Sequence, residues 1–236
     1  MPTGDLPGWS SILEQDFSNT ATLGSFSNTY SSIGSYPYPW TDTSHNVRSN
    51  PGYYHTDKVV SVANGVLNAN LHYDSTLGQY LVAALQPQAT KNMLYGRFSI
   101  RMRADVMPGY KVAPLLWPVS ESWPDDGEID FPEGDLDSAA NTLDAFHHYA
   151  SANGGQASFD TKVKFTEWHT YETAWSPGKV EFFVDGKSIG STTKLVPNKP
   201  MRWVLQLETS ISSKAPATNV SGNVQIDWIK AYKYSG

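Results

Sequence analysis

No cysteine occurs in the 236 residues, which excludes a disulfide framework, a thiolate zinc site and a cysteine nucleophile together. Long apolar runs are missing as well, so nothing approaches the roughly 20 residues that a bilayer-spanning helix needs. The opening MPTGDLPGWS has neither the basic nor the apolar region of a secretory signal, so an exported form is expected to have had its signal trimmed. Charge is sparse at 17% of residues, and 17 basic against 23 acidic side chains leave a formal charge of -6. An acidic chain with a pI near 5.4 attracts neither nucleic acid nor an anionic membrane, and a neutral ligand fits it better. Sustained helical periodicity, fixed-period repeats, low-complexity tracts and a dividing linker are also missing.

Aromatic residues are plentiful: eight Trp and 13 Tyr exceed what a core requires and leave flat surface for a ligand. The first 57 residues are rich in Ser, Thr, Gly, Pro and Tyr and read as coil with edge strands, residues 1–15 being an irregular N-terminal segment. Strand signals become dense from Lys58. Asn64-Gly65 and Asp185-Gly186 sit between alternating runs as hairpin turns do. YGRFSIRMRADV alternates Phe98, Ile100 and Met102 against Arg97, Ser99, Arg101 and Arg103, and two further strands close the chain. Many short strands with Gly, Pro and Asn turns describe one all-β domain over 1–236, an antiparallel β-sandwich of jelly-roll type in which one sheet curves into a groove.

Within DGEIDFPEG, Glu128 and Asp130 share a strand face, but Glu133 falls on the other unless the strand breaks its alternation. A β-bulge near Phe131 or Pro132 restores it, and proline has no N–H for the disturbed ladder to lose. Without a bulge-induced bend the Cα atoms of Glu128 and the bulged Glu133 lie roughly 13 Å apart, a gap that two inclined side chains narrow toward the about 5 to 5.5 Å of a retaining glycosidase. Three like charges in one groove repel one another. Solvated surface carboxylates and a calcium site are the other two readings of the spacing; the third is acid–base and nucleophilic catalysis on a glycoside.

WPDDGEIDFPEG resembles the signature of glycoside hydrolase family sixteen in its longer, bulged form, as found in laminarinases, agarases and related enzymes. YGRFSIRMRADVMPGYKVAPLLWP, EWHTYETAWSPGKVEFFVDGK and VQIDWIKAYKY extend the resemblance over most of the chain from about Asp16. It implies a concanavalin A-like jelly roll with a cleft on its concave sheet, Glu128 as nucleophile, Asp130 as its supporting carboxylate and Glu133 as general acid and base. It implies Trp123 on the donor side of the cleft, His148 beside the acid and base, and Gln206 on the cleft floor, with Glu208 on the same face. The His147-His148 doublet leaves the facing of His148 open. Trp117 and Trp175 divide between cleft and core, and Arg97 between sugar hydroxyls and solvent.

No cofactor is implied for catalysis. The resemblance does imply a structural calcium at Asp16, Gly65 and Asp227, using backbone carbonyls near the first strand and an early hairpin with an Asp of the last strand. The partner is a polysaccharide, outside the cell and met by a monomer; β-1,3-glucan is the first choice, with galactan and agar as alternatives. A transglycosylase shares the covalent intermediate. A non-catalytic carbohydrate-binding protein shares the fold, but has no need of the full set of carboxylates.

Overall fold

In the computed structural model, which describes residues 1–236, sixteen strands carry the chain. In order they are β1 (Trp9–Gln15), β2 (Ile33–Ser35), β3 (Gly52–Tyr54), β4 (Val60–Ala63), β5 (Val66–Asp74), β6 (Gln79–Pro87), β7 (Gly96–Ala104) and β8 (Tyr110–Pro118). There follow β9 (Glu128–Asp135), β10 (Asp144–His148), β11 (Gln156–Asp160), β12 (His169–Ser176), β13 (Lys179–Val184), β14 (Lys187–Thr192), β15 (Met201–Thr209) and β16 (Gly222–Tyr234). Helix is confined to two single turns, α1 (Phe26–Thr29) and α2 (Thr56–Val59), and two short 3-10 segments.

One sheet runs β11-β10-β9-β8-β15-β6 and the other β5-β16-β7-β12-β13-β14. The β5–β6 hairpin passes the chain from one to the other through the pairs His72 with Leu81 and Asp74 with Gln79. Pairing is antiparallel except for β3 on β6. Aromatic rings seal the space between the sheets: Phe98 of β7 lies 5.5 Å from Trp203 of β15, and Phe131 of β9 lies 5.6 Å from Tyr171 of β12. Asn64 and Asp185 have positive φ, as do Gly65 and Gly186, so both expected hairpin turns form where small or polar residues accept that backbone.

The first sheet is concave, and its central strands lose the alternation that marks half-exposed strands. Nearly all of β6 and β8 is buried, because one face meets the core and the N-terminal segment folds over part of the other. Asp42 ties that segment down. Its carboxylate accepts from Ser44 N, Gly52 N, Thr209 N and Thr209 Oγ1, the last two on β15. A Cβ on Gly52 would stand 2.2 Å from Asp42 Oδ2, so only glycine lets the chain pass there. The irregular N-terminus expected over 1–15 is corrected at Trp9–Gln15: β1 pairs with Ile229–Tyr234 of β16, where Ile12 and Leu13 pack on the core.

Candidate active site

Glu128, Asp130 and Glu133 all line one cleft of about 820 Å³ on the concave sheet. The ladder explains how. Asp130 and Glu133 are opposed by Phe146 and Asp144 on β10, so three steps on β9 face two on its neighbour. On the other side, Asp130 and Gly134 are opposed by Leu115 and Val112, four steps against three. One extra residue therefore lies in β9 between Asp130 and Glu133, at the expected bulge. Ile129 and Phe131 point into the core while the carboxylates point out.

Burial dominates the electrostatics. Glu128 is pushed well above the usual carboxylate range by burial and then by the charge of Asp130, with His148 opposing. Asp130 is pushed up by burial and by Glu133, with a hydrogen bond to Glu128 and then the charge of Lys111 opposing. Two neighbouring carboxylates with so little water repel one another's charge, so the pair holds a proton more readily than free carboxylates do. His148 Nε2 stands 3.1 Å from Asp130 Oδ2. His147 faces the other way, fully buried, and burial pushes its imidazole down to about 4, so it is neutral. The doublet is thus resolved by the pleat, with His148 on the cleft side.

Aromatic walls flank the carboxylates. Trp123 is 49% exposed and its ring approaches the edge of His148 at 6.3 Å. Trp117 also lines the cleft, its Nε1 donating to Glu121 Oε2 at 2.6 Å while Arg202 pairs with Glu121 Oε1 at 2.6 Å. Gln206 lies on the floor, and Glu208 beyond it is fully buried. Two expected sugar contacts are corrected. Trp175 is 0% exposed in the core with Nε1 donating to the Pro197 carbonyl, and Arg97 lies on β7 of the opposite sheet, paired with Glu172 and stacked on Phe183.

Sequence reasoning missed Tyr36, Trp40, Tyr54, Lys111 and Arg202, all of which line the cleft. Trp40 is 58% exposed in a Tyr- and Pro-rich segment whose composition signalled coil but not its destination. Lys111 carried a local signal, since it shares the strand face of Ala113 and Leu115, both also in the cleft.

Asp16, Gly65 and Asp227 are brought to one corner by the pairing of β16 with β1 and β5. Their donor set does not fit a dication as it stands. The Asp227 carboxylate is already paired with Arg101, whose guanidinium also stacks on Trp168. A calcium ion there would share its one strand carboxylate with a fixed cation.

Residues 50–230 match the model of glycosyl hydrolases family 16. A β-glucanase of Rhodothermus marinus is 29% identical over 137 residues, covering 52% of this chain and 47% of the relative, so the chain spans about half that relative's length. Among solved structures, the laminarinase from Rhodothermus marinus superposes with a TM-score of 0.76 at 19% identity, covering 97% of this chain and 98% of that one. The endo-β-1,3-glucanase from Pyrococcus furiosus gives 0.72 at 18% identity with full coverage of both (100% each). These likenesses carry the jelly-roll fold, and the match over residues 50–230 carries the ancestry: the chain belongs to family 16 of the glycosyl hydrolases.

Proposed function

We propose that the protein is a retaining, endo-acting hydrolase of a neutral β-linked glucan, most simply a β-1,3-glucan. The observation that carries this reading is the bulge that turns Glu128, Asp130 and Glu133 onto one cleft face. Glu128 attacks the anomeric carbon while Glu133 gives its proton to the departing glycosidic oxygen, leaving a glycosyl ester on Glu128. Glu133, now anionic, takes a proton from water, whose oxygen attacks the same carbon and frees Glu128. Asp130 shares the buried proton with Glu128, which lets the nucleophile carry its charge during attack.

A β-1,3-glucan is supported by the structural relatives, a laminarinase and an endo-β-1,3-glucanase among them. A sulfated polymer is disfavoured by the charge of the walls, where Glu121, Glu128, Asp130, Glu133 and Asp135 face only Lys111 and Arg202 as permanent cations. Indole faces at Trp123 and Trp40 suit the apolar faces of sugar rings, and the open cleft suits attack inside a chain. Action on such a polymer supports a place outside the cell. The Asp227–Arg101 pair favours a corner that holds together without calcium.

Release of reducing ends from laminarin, lichenan, agarose, carrageenan and β-galactan, beside a Glu128→Gln control, tests the reading. Activity on laminarin with first-formed product of retained anomeric configuration, lost in the control, is expected. Inverted product, or activity unchanged by the substitution, would sink it.

A further inference from the structure

Lys111 is buried on β8, inside the strand that floors the cleft. Its Nζ lies 3.3 Å from Glu133 Oε1 and 3.7 Å from Glu208 Oε2. The second contact is set by the sheet itself, because Lys111 and Glu208 are direct cross-strand partners of β8 and β15. Glu208 has no exposure, and its oxygens also accept from Tyr54 of β3 and, at 2.6 Å, from Thr43 Oγ1. Burial pushes the Glu208 carboxyl above its ordinary range, and the nearby Lys111 ammonium and the hydroxyls of Thr43 and Tyr54 oppose that by stabilising its charged form. An ammonium anchored on one side by the ladder and Glu208 therefore reaches Glu133 on the other.

Stability is a poor reason for this arrangement, since a buried ion pair costs desolvation that apolar side chains avoid. The other titratable groups around Glu133 and Lys111 are Glu128, Asp130 and Asp135 on β9, Asp144 and His148 on β10, and Tyr54 on β3. Among them Lys111 is the one permanent cation. Burial alone would lower its pKa, but Glu208 and Glu133 outweigh that and raise it, so it stays charged.

We propose that Lys111 is a positioning residue for the acid/base: anchored by Glu208, its ammonium aims the Glu133 carboxylate into the cleft and steadies it as an anion after it has given its proton to the leaving oxygen. This rests on the reading of Glu133 as acid and base. During glycosylation Glu133 loses its proton and gains an ion pair with Lys111. During deglycosylation it takes a proton from water and that pair relaxes. No net charge enters or leaves the site.

The test is the pH profile of kcat/KM, on whichever polymer of the panel the wild type hydrolyses fastest, for Lys111→Met, Lys111→Arg and the double variant Lys111→Met with Glu208→Gln. Loss of the ammonium removes a charge that favours the Glu133 anion, so the basic limb of Lys111→Met moves up by about one unit or more. Its kcat falls by up to about 10²-fold while KM changes little. Lys111→Arg returns the limb toward the wild-type position. The double variant removes the Glu208 charge that loss of Lys111 would leave unpaired, yet its limb stays displaced. Limbs that coincide with wild type in Lys111→Met and in the double variant, with only Tm altered, would overturn the proposal. A Glu133→Ala control on a dinitrophenyl glycoside reports on the parent reading separately: acceleration by azide, with a glycosyl azide of retained configuration as product, upholds Glu133 as acid and base whatever Lys111 does.

Discussion

Trp123 and Trp175 are the same residue type with opposite fates. Trp123 stands half exposed at the cleft rim, so Trp123→Ala is expected to raise KM by about tenfold, the loss of one sugar-stacking face worth about 1.4 kcal/mol, with Tm nearly unchanged. Trp175 fills the core, so Trp175→Ala is expected to cost about 3 to 5 kcal/mol of stability in a denaturant titration, with KM unaltered in whatever fraction folds. A KM effect at Trp175 without loss of stability would reverse the assignment.

The carboxylates set a second prediction at this scale. Burial raises Glu128 and Asp130, so the native state binds more protons than the unfolded chain from the unfolded carboxylate pKa, near about 4, upward. Where the native state binds more protons, stability falls as pH rises. Asp130→Asn and Glu128→Gln are therefore expected to raise Tm relative to wild type, with the gap small at pH 4 and wider at pH 7. A gap independent of pH would contradict a buried, proton-sharing pair.

At the scale of elements, the bulge in β9 is an insertion into an otherwise regular ladder. Deleting Pro132 removes the extra residue from both neighbouring registers and, by simple alternation, still leaves the third carboxylate facing the cleft. The deletion variant is expected to fold and to retain activity within about 10²-fold of wild type, the cost of a displacement of order 1 Å. Inserting a glycine after Phe131 instead makes six steps to the third carboxylate, which alternation keeps on the cleft face but carries roughly 7 Å farther from Glu128, and is expected to abolish turnover, which reducing-end assays on both variants would check. Asp42 acts at the same scale, since its bonds to Thr209 carry the segment bearing Trp40 and Thr43 onto the cleft sheet.

For the whole molecule, the two ends of the chain meet where β1 lies on β16, and the Arg101–Asp227 pair sits beside that junction. Chelation is accordingly expected to leave Tm unchanged. Binding of calcium to the folded state alone would add about 2.7 kcal/mol at a hundredfold excess over Kd, so a Tm that climbs with added calcium would reveal a site that Arg101 does not block.

What was legible in the sequence was what depends on near neighbours along the chain. Alternation and two hairpin dipeptides described antiparallel strands, and the two-then-three spacing of Glu128, Asp130 and Glu133 called for a bulge if all three were to share a face, because the pleat has a period of two whatever the strand pairs with. Partners and coverage belong to the tertiary structure. Trp175 and Arg97 were misplaced because alternation says that two faces exist but not which one meets the core or which sheet holds the strand. His148 could be told from His147 only once β9 lay beside β10. Lys111 meets Glu208 across about a hundred residues of chain, and Trp40 joins the cleft because Asp42 bonds to Thr209. Local sterics along one strand determined the spacing of the carboxylate row; only the packing of distant strands, which sets who neutralises each charge and what excludes water, decided the surroundings of that row.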